Sequence, residues 1–157
     1  MLAVLLALAA QSASGAPPPA QIPPVEGAGT AAAVMAPIQS LFAALAAGDP
    51  AGVLRVAYPD GRVTANGVLP SRSGLRQESF ANFAARMKPG AGFDESISDP
   101  IIKVDGDVAM VWAPFVVRRG GKIGNCGVDH FDLVREHGNW KIMNITFSSR
   151  VTGCPAQ

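Results

Sequence analysis

Charge is scarce in this chain. Only 16% of its 157 residues are Asp, Glu, Lys or Arg, and thirteen basic against twelve acidic residues leave a formal net charge of +1. The one local concentration of cations, Arg118-Arg119-Lys122, falls at a hairpin, where solvated charges blunt a strand tip. There is no basic stripe on which a nucleic acid could dock, so no nucleic-acid partner is expected. The chain also lacks a Gly-rich phosphate loop and a nucleophile elbow, and no segment repeats. Histidine and cysteine occur twice each. Cys126 and His130 share one strand face, but four residues along a strand separate them by roughly 13 Å, too far for one metal ion to bridge. No metal site and no cofactor are expected.

The first residues, Met1 to Ala10, form a short Leu/Ala run followed by the small-residue stretch Gln11–Ala16. This has the length and ending of a signal peptide, residues 1–16, with Ala16 as the cleavage point. No Lys or Arg precedes the run, so only the terminal amine supplies positive charge. The run is too short to span a bilayer, and no Cys follows it to carry a lipid. Export to the periplasm or beyond is therefore expected, with no stable membrane insertion after cleavage. Residues 17–30, rich in Pro, Gly and Ala and almost chargeless, read as a linker. One domain's worth of chain remains, residues 31–154.

Within it, Val34, Ile38, Leu41, Phe42 and Leu45 recur at helical spacing, with Pro37 either kinking that helix or marking its first turn. Gly48-Asp49-Pro50 predicts a stop and a restart, giving a second short helix through Val53 and Leu54. Tyr58-Pro59-Asp60-Gly61 reads as a turn, Arg62–Ala65 as a short strand, and Asn66-Gly67 as a second turn. Ser73-Gly74 precedes a third helix bearing Phe80, Phe83, Ala84 and Met87, ended by Lys88-Pro89-Gly90. Phe93–Val104 is predicted as a strand in which Pro100 argues for a bulge or an edge. Three long strands follow, Val108–Arg118, Ile123–Arg135 and Trp140–Val151, joined by loops so short that they must form an antiparallel meander. Helices first and then mostly antiparallel strands is an α+β layout, with the helices in the hollow of a bent sheet.

Strand alternation assigns faces. Trp140 and Ile142 share a face with Asn144, Thr146 and Ser148, while Phe131 and Leu133 share one with Asp129 and Asn125. A four-residue loop pairs Arg135 with Trp140, Leu133 with Ile142, Phe131 with Asn144 and Asp129 with Thr146, whereas a tighter turn at Gly138-Asn139 shifts each pairing by two and leaves both faces unchanged. A two-residue turn at Gly120-Gly121 puts Trp112 opposite Asp129; a three-residue turn or a bulge puts Val111 on that face instead. The resulting inner surface is apolar at one end and polar at the other, the usual construction of a small-molecule site. Asp129 is the candidate catalytic residue, because a carboxylate there would have its pKa raised and could act as general acid or base. Its alternative role is to accept hydrogen bonds that hold the sheet together. Trp112, Asn125, Asn144, Thr146 and Tyr58 are the candidate pocket residues. The ligand expected is small and apolar or aromatic.

The run Cys126-Gly127-Val128-Asp129-His130-Phe131-Asp132-Leu133-Val134, followed by Gly138-Asn139-Trp140-Lys141-Ile142, resembles the nuclear transport factor 2-like superfamily. More closely, it resembles the SnoaL-like and "putative lumazine-binding" bacterial proteins. Asp105–Trp112 fits that group's GD-x-A-x-V-W strand, and Gly48-Asp49 its GD after the first helix. The resemblance implies a cone-shaped half-barrel with about three helices in the concave face of a strongly curved sheet, often a homodimer. Its members include ketosteroid isomerases, dehydratases and polyketide cyclases. The isomerases use a Tyr of the first helix with two acids, whereas Tyr58 here follows the second helix. The dehydratases use paired histidines, whereas His137 here sits in a turn and His130 faces away from Asp129.

Cys126 points outward, and Cys154 lies just past the last strand, close enough to curl back and form a disulfide; two unpaired thiols are the alternative. Two functional readings stand. One is an exported small-molecule pocket, with acid–base chemistry through Asp129 as its catalytic form. The other is a non-catalytic dimerisation or protein-interaction domain, using the face on which Met143, Ile145 and Phe147 are expected to point outward.

Overall fold

A computed structural model describes residues 31–90 and 92–155; the expected signal peptide and linker lie outside the described residues. The first helix, α1 (Ala31–Ala47), buries Val34, Ile38, Leu41 and Leu45, a single stripe at three- and four-residue spacing. It runs through Pro37, whose ring is buried; the carbonyl four residues earlier, at Ala33, belongs to an exposed residue that water can satisfy. Gly48, at φ 62°, ends it, with the Asp49 amide donating to the Ala44 carbonyl at 2.8 Å. Pro50 then opens α2 (Pro50–Val56) in the first-turn position that lacks an obligatory N–H.

The strands are β1 (Ala57–Leu69), β2 (Arg72–Ser73), β3 (Arg76–Ser79), β4 (Asp94–Ile97), β5 (Ile101–Asp105), β6 (Val108–Arg119), β7 (Lys122–Glu136) and β8 (Asn139–Ser149), and α3 (Phe80–Ala85) sits between β3 and β4. The described residues form one sheet ordered β2-β1-β8-β7-β6-β4, with β3 also on β1 and β5 also on β6. The meander β6-β7-β8 is its centre, as its short loops require. The helices pack on the concave side, where α1, α3 and the inner faces of β6, β7 and β8 share one core.

Several local expectations give way to the tertiary pairing. Tyr58–Gly61 is not a free turn but a wide bulge in β1, which runs on without reversing at Asn66-Gly67 and pairs in parallel with β8. The reversal comes at Pro70-Ser71. A strand, β3, intervenes before α3, which starts on the Ser79 cap (Ser79 Oγ accepts from the Asn82 amide at 3.1 Å) and ends before Met87. The single strand expected over Phe93–Val104 is two, broken at Asp99 with φ 45° and Pro100, and both pair with β6.

Two bulges decide which side chains face the hollow. Val117 pairs with Asn125 but Arg118 with Ile123, so Gly124 is an extra residue in β7. Leu133 pairs with Ile142 but Asp132 with Asn144, so Met143 is an extra residue in β8. Each extra residue reverses the parity of everything beyond it. Val111, Ala113, Phe115 and Val117 therefore face inward, and Trp112 faces out. Likewise Ile145 and Phe147 face inward, while Thr146 is exposed on the convex side. The apolar outward face expected of Met143, Ile145 and Phe147 does not exist.

Candidate functional site

Between α1, α3 and the concave sheet lies a cavity of about 1010 Å³. Leu41, Phe42 and Leu45 of α1, Phe80 and Phe83 of α3, and Phe115, Phe131, Ile145 and Phe147 of the sheet form its apolar wall. Phe42 meets Phe131 edge to face at 6.1 Å, and Phe115 meets Phe147 the same way at 5.9 Å. These rings line the hollow without filling it, and Trp140 is packed into the core elsewhere. The volume is at the upper end of what drug-sized ligands occupy.

Two carboxyls interrupt the apolar wall. Asp129 is only 2% exposed, and among the described residues no amide, hydroxyl or cationic donor reaches its Oδ2. Its neighbour is Glu95 of β4, to which it is hydrogen-bonded. Two carboxyls can share such a bond only if one carries a proton. Burial, then the nearby Glu95 charge, then this bond raise Asp129 well above the ordinary carboxylate range. Burial pushes Glu95 up to about 7, with the bond from Asp129 opposing the rise. The pair therefore holds a shared proton well above the ordinary carboxylate range, ready to be donated. Asn125 adds a neutral polar group to the same wall: it is buried, and its Nδ2 donates to Ser149 Oγ at 3.2 Å.

The mouth is basic. Arg72, Arg76, Arg86, Lys88 and Arg119 line it, with Glu78 as the acid among them. Arg86 is engaged by Glu78, its Nε donating to Oε2 at 3.1 Å. Arg119 lies 4.8 Å over the Phe93 ring.

Of the residues singled out from the sequence, the structure brings Asp129 and Asn125 together on the cavity wall. It places the others elsewhere. Trp112 is 47% exposed on the convex face, its ring 6.0 Å from that of His130. The Gly124 bulge put it there. Asn144 is carried to the same outer side by the Met143 bulge, where its Oδ1 accepts from the Arg62 amide at 3.0 Å and its Nδ2 faces Asp132 at 3.4 Å. Thr146 is exposed beside it. The Tyr58 hydroxyl, carried by the β1 bulge, donates to Glu136 at 3.0 Å, away from the cavity lining. Cys126 and Cys154 form a disulfide on the outer side, with Cα atoms 5.7 Å apart. Among the described residues no cluster of His, Cys, Asp and Glu could hold a metal ion, and no helix is long and apolar enough to cross a membrane.

Sequence reasoning missed Glu95, and the signal was present: it alternates with Phe93 and Ile97, a carboxylate in an otherwise apolar strand face. The Met143 bulge was also written in the chain. Inward apolar residues of β8 fall at 140, 142, 145 and 147, and the one three-residue step is the bulge.

Comparison with known proteins agrees with this architecture. A family described as "Putative lumazine-binding" matches residues 29–148. Similar solved structures include a nuclear transport factor 2-like protein from Cytophaga hutchinsonii (16% identity, TM-score 0.62, covering 74% of this chain and 95% of that one). Another, of unknown function, is from Silicibacter pomeroyi (20% identity, TM-score 0.58, 76% and 94%). A third, described as having a cystatin-like fold, is from Novosphingobium aromaticivorans (16% identity, TM-score 0.60, 78% and 82%). No curated protein matches the sequence. By the extent of that match this chain belongs to the "Putative lumazine-binding" family, and its curved sheet with helices in the hollow is the fold of the nuclear transport factor 2-like structures above.

Proposed function

We propose that the domain binds a small, largely apolar molecule in the cone and that the Asp129–Glu95 pair transfers protons to and from it. One observation carries this reading: a hydrogen-bonded carboxyl pair lies on the wall of a large apolar cavity. A ligand carbonyl or hydroxyl beside that pair meets a protonated acid that can donate and a second acid whose pKa near 7 suits general acid–base work at neutral pH. The chain works after export, where the Cys126–Cys154 disulfide is chemically stable. Binding is tested with N-phenyl-1-naphthylamine, an uncharged dye that fluoresces in apolar surroundings. Micromolar binding is expected, together with its loss in Val63→Trp, which fills the cavity from β1. Equal binding by the two proteins would place the dye elsewhere. Proton transfer is tested by NMR, as deuterium exchange at the α-carbon of 2-tetralone. Acceleration by the wild type and at least a tenfold loss in Asp129→Asn are expected; equal rates would leave a binding protein without chemistry.

A second observation favours association through the other side of the sheet. Ile101, Val108 and Trp112 are 54%, 60% and 47% exposed, and the register puts all three on the convex face. We propose a homodimer through this face, tested by native mass spectrometry at micromolar concentration of wild type and Trp112→Glu; a wild-type monomer would remove it.

A further inference from the structure

We propose that the ligand is an apolar monocarboxylate, held with its charged group at the mouth by Arg76 and its apolar body directed toward the Asp129–Glu95 pair. This rests on the pocket reading above and adds the ligand's charge and direction.

The sheet register supplies the geometry. Asp129 pairs with Phe147, Phe147 with Ala65, and Ala65 with Arg76, so these four residues form one cross-strand row. Residues in such a row point to the same face, and all four line the cavity. Three inter-strand steps separate the end residues, roughly 14 Å along the sheet. Phe147 and Ala65 give the floor between them an apolar surface, and the short Ala65 side chain leaves room above it.

The two ends of this row differ in character. At the Arg76 end, Nη1 donates to the Gly74 carbonyl at 2.9 Å, while Nη2 is buried and has no partner among the described residues. A buried guanidinium nitrogen without an acceptor is costly, and a carboxylate supplies that acceptor with geometry matched to the fork. The surrounding field favours the same group. Arg72, Lys88 and Arg119 also stand at the mouth, and the ion pairs among the described residues leave these three, like Arg76, without an acidic partner; Glu78 is already held by Arg86. An anion at the opposite end would lie against two carboxyls in an apolar wall, where like charge and lost hydration both oppose it. The polarity of the cavity therefore fixes the orientation: anion out, apolar body and any neutral hydrogen-bonding group in.

Decanoate and decanol test the inference, as two ten-carbon chains differing in the charged end. Each is titrated at pH 8 against bound N-phenyl-1-naphthylamine. Decanoate is expected to displace the dye at least tenfold more effectively than decanol, and its advantage to shrink severalfold between 20 and 500 mM salt. Arg76→Gln should weaken decanoate about tenfold and decanol no more than twofold. Displacement by decanol as good as by decanoate, or an equal effect of Arg76→Gln on both, overturns the anion assignment while leaving the pocket intact. Failure of the dye and both chains to bind overturns the pocket reading itself and this inference with it. The salt series needs no variant, so the assignment stays testable even if Arg76→Gln does not fold.

Discussion

The carboxyl of Asp129 is hydrogen-bonded to the carboxyl of Glu95 inside an apolar wall, an arrangement that ties the stability of the fold to pH. Both acids are raised, so the folded state holds protons that the unfolded chain releases. For Glu95 the stabilising contribution is complete below the ordinary glutamate pKa of 4.5 and is lost as pH rises through about 7, and the raised Asp129 acts in the same direction. For Glu95 alone the loss is on the order of 3 kcal/mol. Urea unfolding at pH 5 and pH 8 should show the wild type weakening by that order. The double variant Asp129→Asn, Glu95→Gln should weaken much less. The same slope in both proteins would mean that the pair does not titrate as described.

The junction of β1 and β8 permits no side chain at Gly61. A Cβ there would lie 2.0 Å from the Met143 carbonyl oxygen and 3.1 Å from that of Tyr58, both backbone atoms. Gly61→Ala should therefore cost about 2 kcal/mol or more, since the strands must part. Because Met143 is the residue that turns Ile145 and Phe147 inward, the same change should also weaken dye binding in the cavity. Gly124→Ala, at the other bulge, meets nothing closer than 3.9 Å and should stay within about 0.5 kcal/mol of the wild type. Thermal melts of the two variants decide this.

These two bulges also mark how far the chain could be read without coordinates. The three long strands, the first two helices and the α+β layout follow from periodicity and short loops, because period and loop length are local properties. Alternation correctly gives Asp129 and Asn125 the inner face of Phe131, since all three lie on β7 with no extra residue between them. It misplaces Trp112, Asn144 and Thr146, because a single inserted residue in one strand reverses every pairing after it. The β1–β8 parallel pairing and the Glu95–Asp129 contact join segments 82 and 34 residues apart in number, Arg62 with Asn144 and Glu95 with Asp129. Nothing local to either segment encodes such a partner.

Phe131 carries both the core and the cavity wall. It is 1% exposed, meets Phe42 edge to face, and presents part of its surface to the hollow. Phe131→Ala should cost about 3–5 kcal/mol, the range for deleting a buried ring. Phe131→Leu, which keeps most of the apolar volume, should cost less than half of that. Both variants enlarge the cavity, so bulkier dyes should bind relatively better than in the wild type. A loss of stability with no change in dye selectivity would show that the ring supports only the core.

The disulfide acts at the end of the last strand. Cys126 and Arg150 exchange backbone hydrogen bonds of 3.0 and 2.9 Å, and the Cys126–Cys154 bond ties the following residues back onto β7. On the inner side of the same strand ends, Ser149 Oγ donates to the Val68 carbonyl at 2.7 Å and accepts from Asn125. The bridge closes a segment of 28 residues, for which the chain-entropy relation gives about 3–4 kcal/mol. Cys154→Ser should lower the urea midpoint accordingly, and reducing agent should destabilise the wild type but not the variant. Hydrogen exchange should locate the loosening. The Cys126 and Arg150 amides should lose protection first, because they lie beside the released segment. The Phe131 and Leu133 amides, deep in the β7–β8 ladder, should lose protection only with global unfolding. Equal loss at both places would mean that the bond stabilises the whole domain and has no local role at the cavity's end.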